Sequence, residues 1–177
     1  MRCHCLLISL TWLLLGALSG CAWLAPKTFP VEGSHSTTDW LDAYARASGL
    51  RPLTGGEAPT LRVWVEDVML GDSSGYVVTP TATLVCRTSY INRMTSFSIR
   101  LARCSSKRPS NQQARALSLL PELARMNGSD LDCGVMDGSE VYLEGVVSGR
   151  RFSLAAGNPS LCNDAGSALV TKVLQLL

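Results

Sequence analysis

The stretch "SEVYLEGVVSGRRFSLAAG", residues 139–157, decides the fold. Two strand-like runs flank Ser148–Gly149, a dipeptide suited to a two-residue hairpin turn. That turn pairs Leu143 with Leu154, Val141 with Ala156, and Gly145 with Phe152. All three pairs fall on one face, and the Phe152 ring covers the gap left by the glycine. A slip of one residue would send the apolar set to the opposite face, so the register is well specified. The hairpin also brings Cys133 and Cys162 together at its open end, which predicts a disulfide between them.

Working outward, "TLRVWVEDVML" (60–70) alternates Leu61, Val63 and Val65 against Arg62, Trp64 and Glu66, the pattern of a half-buried strand. "GDSSG" (71–75) reads as a loop. "YVVTPTATLVCRTSY" (76–90) reads as a long strand that Pro80 breaks or confines to an edge. "SFSIRLA" (96–102) alternates again, with Phe97, Ile99 and Leu101 on one side and Ser98 and Arg100 on the other.

Three helices are predicted. "TTDWLDAYARASGL" (37–50) has cap candidates Thr37, Thr38 and Asp39 and stops at Gly49. Ser110 and Gln113 form a capping box opening "NQQARALSLLPELARMNG" (111–128), which Pro121 should kink and Gly128 end. "NDAGSALVTKVLQLL" (163–177) starts at Asn163/Asp164 and carries an apolar stripe for packing on the sheet. The order is α-β-β-β-α-β-β-α. Adjacent strands without regular βα alternation imply an α+β domain, an antiparallel sheet of about five strands packed by two or three helices.

The N-terminus places this domain. Arg2 precedes an uncharged stretch whose apolar part, Leu6 to Leu18, is too short to span a bilayer and has signal-peptide length. Leu18-Ser19-Gly20-Cys21 resembles the lipobox of bacterial lipoproteins. The resemblance implies cleavage before Cys21, acylation of its sulfur and amine, and a signal peptide at 1–20. An uncleaved helix from about Cys5 to Ala25 is the rival reading. Ala22 follows the cysteine where aspartate commonly retains such proteins at the inner membrane, so the family rule points to the outer membrane. "AWLAPKTFPVEGSHS" (22–36) then reads as a tether behind Cys21, and 37–177 as one domain. "CGVMDG", "EGVVSGRRFSLAAGNPSLC" and the terminal helix are similar to segments of small uncharacterised lipoproteins of Gram-negative bacteria, a likeness that brings no activity with it.

Removing 20 residues from 177 leaves 157, enough for one domain with a core. Four cysteines remain beside Cys21, an even number in an exported chain, and they imply two disulfides. With Cys133–Cys162 assigned, Cys86–Cys104 follows by elimination. Its parity is awkward, because Cys104 continues the polar side of "SFSIRLA", so a bulge or strand end near Arg103 is required. A four-cysteine zinc site is disfavoured by the lack of any C-x₂-C pair.

Charge is unevenly distributed. Residues 21–72 hold four basic and seven acidic side chains, 73–121 hold seven basic and none acidic, and 122–177 hold four and seven. Within the basic middle, Arg87, Arg93, Arg100, Arg103, Lys107 and Arg108 are candidates for one anion-binding face. Lipid headgroups, lipopolysaccharide phosphates and acidic envelope proteins are its candidate partners, and no nucleic acid is expected because the compartment offers little of it. An ordinary solvated surface is the competing reading.

Catalytic chemistry finds little support. His35, the one histidine after residue 20, lies in the expected tether, which argues against a histidine-based site. Glu66 and Asp67 should point to opposite faces of a strand. "GSDLDCGVMDGSE" (128–140) echoes a calcium loop but lacks its spacing. No cofactor or metal is expected. These features imply a lipid-anchored, non-enzymatic binding module of the envelope, of inhibitor or immunity type or an assembly factor. A carboxylate-dependent hydrolase is the alternative.

Overall fold

A computed structural model of the chain describes residues 27–33, 35–93, 96–134 and 138–177, with the backbone alone for Arg93. The lipobox, Cys21 and Asp137 lie outside these residues. The described elements are β1 (Thr28–Pro30), α1 (Thr37–Ala47), β2 (Thr60–Asp67), β3 (Asp72–Val78), β4 (Thr83–Arg93), β5 (Ser96–Arg100) and β6 (Arg103–Lys107). They continue with α2 (Asn111–Ser118), α3 (Leu120–Ala124), β7 (Asp130–Asp132), β8 (Ser139–Val147), β9 (Arg150–Gly157) and α4 (Ala165–Leu176). The fold is α+β, built on a nine-stranded sheet in the order β1-β5-β4-β3-β2-β8-β9-β7, with β6 also paired to β4. All pairings are antiparallel except β7 with β9.

The hairpin has the register its turn dictates. Leu143 faces Leu154, Val141 faces Ala156 and Gly145 faces Phe152. Ser148 and Gly149 both take positive φ, 52° and 73°, as a primed turn requires. A Cβ on Gly145 would lie 2.7 Å from the Phe152 ring, so glycine is what lets the ring lie flat across the strand.

Five strands were too few. Pro80 does break the long run, in a turn where Thr79 N donates to Ala82 O (2.9 Å), making β3 and β4 a hairpin. Most of "GDSSG" belongs to β3, and the turn sits earlier, at residues 68–71. The chain after β5 breaks at Leu101–Ala102 and restarts as β6 along the same edge of β4. That break absorbs the parity problem, and Cys86 and Cys104 are Cα partners joined by a disulfide. Cys133 and Cys162 form the second. The described part of the expected tether is also structured: Thr28–Pro30 pairs with β5, and Val31 is buried.

Both faces of the central sheet are covered, which the half-buried reading of β2 did not anticipate. On one face Leu61, Val63, Val141, Leu143, Phe152 and Leu154 pack beneath α2, α3 and α4. Pro121 takes the first turn of α3, where its missing N–H costs nothing, so the kink becomes two short helices. On the other face α1 lays Trp40, Leu41, Tyr44 and Ala47 over Trp64, Tyr142 and Ile99. Its cap is Ser36, with Asp39 completing the capping box. Trp64 stacks on Tyr44 at 4.6 Å and overlies Gly75, where a Cβ would come within 1.9 Å of the indole.

Candidate functional site

Register places the basic residues. Cross-strand partners share a face, and alternate residues along a strand share it too. Arg87 is the direct partner of Arg103, and Lys107 partners Thr83, an even number of residues from Arg87. All three therefore belong to one side of the β4–β6 ribbon, the side opposite Cys86 and Cys104. On β5, Arg100 has the same parity, since its neighbour Ile99 pairs with Tyr90 on the Cys86 side. Arg87, Arg100, Arg103, Lys107 and Arg108 are all exposed, and none forms an ion pair among the described residues. Arg108 lies just past β6, and Arg93 is the last residue of β4. Four of the residues singled out by composition, Arg87, Arg100, Arg103 and Lys107, thus share one side of this margin of the sheet by register.

Under α1 lies a set of charges that the alternating pattern hid. Arg62 Nη1 donates to Glu144 Oε1 at 3.1 Å, and Arg151 reaches Glu144 Oε2 through Nε (3.1 Å) and Nη2 (2.9 Å). Arg151 also approaches Asp42 at 3.6 Å. Burial pushes the Glu144 carboxyl up while the two guanidiniums pull it back. Farther along the same face, the Tyr44 hydroxyl donates to Glu66 Oε1 and lies 2.9 Å from Ser73 Oγ. Burial is the main reason the Glu66 carboxyl is pushed up to about 7, with the nearby Glu140 charge adding to it. Asp67, as expected, is exposed on the other side.

A third arrangement corrects the reading of His35. Its ring packs edge-on against Phe97 at 5.1 Å, and with Ser36 and Thr37 it borders a cavity of about 380 Å³. Asp130, Asp132, Glu140, Tyr142 and Ala155 form the rest of that wall. Asp132 and Glu140 flank Gly157 on neighbouring strands, and a Cβ there would lie 3.2 Å from one carboxylate and 3.7 Å from the other. Burial, then the Asp130 charge, raises the Glu140 carboxyl. No hydrogen bond joins His35 to these carboxylates, and among the described residues no group of histidine, cysteine and carboxylate side chains is arranged to hold a metal. Sequence reading missed this wall because His35 lies in irregular backbone and β7 is three residues long.

No helix among the described residues is long and apolar enough to cross a membrane. Neither a family model nor a curated protein matches the chain.

Proposed function

We propose that this is a lipid-anchored binding module of the bacterial envelope, held by Cys21 at the outer membrane and recognising an anionic partner through the β4–β6 face. One observation carries the reading. Arg87 and Arg103 stand directly opposite one another, with Lys107 on the same side, and none of the three is ion-paired to a carboxylate among the described residues. Like charges in that position repel, so the arrangement costs stability unless an anion occupies the face. An acidic surface on an envelope protein, or an anionic headgroup, has the matching chemistry. The module acts by binding, as an inhibitor or immunity protein does, or as an assembly factor. A carboxylate-dependent hydrolase is the second reading, favoured by the cavity that Asp130, Asp132 and Glu140 share with His35 and Tyr142.

Two measurements test the first reading. Mass spectrometry of the N-terminal peptide should find Cys21 acylated and residues 1–20 removed. Binding of anionic vesicles and of acidic envelope proteins should weaken with salt, screening acting over about 8 Å at physiological ionic strength. Arg87→Ser, Arg103→Ser and Lys107→Ser together should abolish it without lowering the melting temperature. Undiminished, salt-independent binding by that variant would remove the basic face from the proposal.

A further inference from the structure

Three consecutive apolar residues stand in solvent at the β2–β3 turn. Val68 is 42% exposed, Met69 69% and Leu70 74%. Scattered exposed apolar side chains are ordinary, but a contiguous run at the tip of a hairpin is not. The backbone beneath them is closed off. Asp67 Oδ1 accepts from both Met69 N and Leu70 N at 3.0 Å. Val68 N donates to Gly138 O (3.0 Å) and Gly71 N to Asp67 O (2.8 Å), while Val68 O accepts from the Tyr90 hydroxyl (3.0 Å). Every N–H of the tip is thus paired within the protein. Moving such a tip out of water forfeits no backbone donor, which lowers the cost of entering the edge of an apolar layer.

The position of the tip says what it meets. Tyr90 N donates to Gly71 O, Tyr90 pairs with Ile99, and Ile99 pairs with Phe29. The turn and the N-terminal strand therefore lie in one row, three strand spacings apart, or about 14 Å. Lys27 begins the described domain beside that strand, six residues after Cys21. Fully extended, six residues reach about 20 Å, more than that separation, so an anchor at Cys21 leaves this end of the sheet within reach of the bilayer. The exposed carboxylates of Asp67 and Asp72 at the base of the turn disfavour an anionic surface and suit a zwitterionic one.

We infer that Val68, Met69 and Leu70 form a second, non-covalent membrane contact, inserting into a zwitterionic lipid surface and fixing the orientation of the domain beside its anchor. This rests on the lipid-anchored reading only for the bilayer being within reach. The anchor supplies retention, and the tip supplies orientation, directing the β4–β6 face to one side of the attachment point.

The test uses the full chain, purified from membranes and reconstituted into phosphatidylcholine–phosphatidylethanolamine vesicles carrying acyl chains brominated at a defined depth. Met69→Trp and Leu70→Trp should each add fluorescence, over that of the parent protein, that brominated lipid quenches. Thr81→Trp, at an exposed turn on the opposite end of the sheet, should add none that is quenched. Two tip positions guard against one variant misfolding, and near-ultraviolet circular dichroism checks each. Absence of quenching at both tip positions in folded protein overturns the inference, including the case in which the tip serves a protein pocket instead. Quenching equal at Thr81 and at the tip overturns it as well. Acylation is scored separately on the same preparation: quenching without an acyl group sinks the anchor and keeps the tip, while an acyl group without quenching does the reverse.

Discussion

Arg87 and Arg103 are Cα partners on β4 and β6, one residue from the disulfide that joins Cys86 to Cys104. The covalent link holds together two strands whose next rung is repulsive. Each of the five side chains of β6 is exposed, so burial contributes little to its place in the sheet. The disulfide and the ladder do that work while the two guanidiniums remain free to share a ligand.

Arg103→Ser should therefore leave the fold intact and raise stability slightly, within about 0.5 kcal/mol, as relief of a surface repulsion allows. Its affinity for anionic vesicles should fall at low salt. Urea denaturation and vesicle co-sedimentation measure the two effects, and a large loss of stability would mean Arg103 has a structural partner.

Stability should depend on pH through Glu66. Its carboxyl is pushed up to about 7 in the folded protein from an ordinary value of 4.5. The folded state thus favours the protonated form, whose contribution is full below about pH 4.5 and lost as pH rises through 7, roughly 3 kcal/mol in all. Glu66→Gln keeps an acceptor for the Tyr44 hydroxyl and cannot ionise. Its unfolding free energy should fall less steeply between pH 5 and 7 than that of the parent, and identical slopes would contradict the assignment.

Glu144→Ala should cost about 3–5 kcal/mol, because it strands the buried Arg62 guanidinium without its carboxylate. Adding Arg62→Met should recover much of that loss, since the charge needing a partner is then gone. Chemical denaturation of the single and double variants decides it; a double variant weaker than Glu144→Ala would show that Arg62 matters for more than charge.

Gly75→Ala should be among the most damaging methyl additions in the chain. The new Cβ would meet the Trp64 ring at 1.9 Å, and Tyr44 stacked behind the indole blocks its retreat. Overpacking of this kind costs typically 1–3 kcal/mol or more. A melting temperature within a degree of the parent would show that the aromatic layer is looser than its contacts imply.

The hairpin of β8 and β9 was legible because turn chemistry and apolar alternation act over a few residues and agree. The capping box at Ser110, the break at Pro80 and the Cys133–Cys162 disulfide were readable for similar local reasons, and Cys86–Cys104 then followed by elimination. What escaped was set by distant partners. Arg62 and Glu66 read as the polar side of a half-buried strand because charged residues are seldom buried, yet Arg62 is neutralised by Glu144 from 82 positions away. Strands β1, β6 and β7 escaped because they are short and bury little, so no periodicity marks them. The basic residues were visible in composition, but only the register of β4 with β6 shows that Arg87, Arg103 and Lys107 share a side. The acidic wall around His35 needed β7, β8 and the start of α1 to be brought together, which no single segment encodes.

The two disulfides sit at the margins of the sheet rather than in its middle. One fastens β6 along the side of β4, and the other fastens the chain after three-residue β7 to the loop after β9. Those are the places where few backbone bonds guard a strand that would otherwise offer its own to any passing chain. Oxidation state should then govern whether molecules associate more than whether each one folds. Reduced protein should keep the exchange protection of β2 and β8 while scattering more light as its concentration rises. Unfolding of β2 and β8 on reduction would show that the margins hold up the centre.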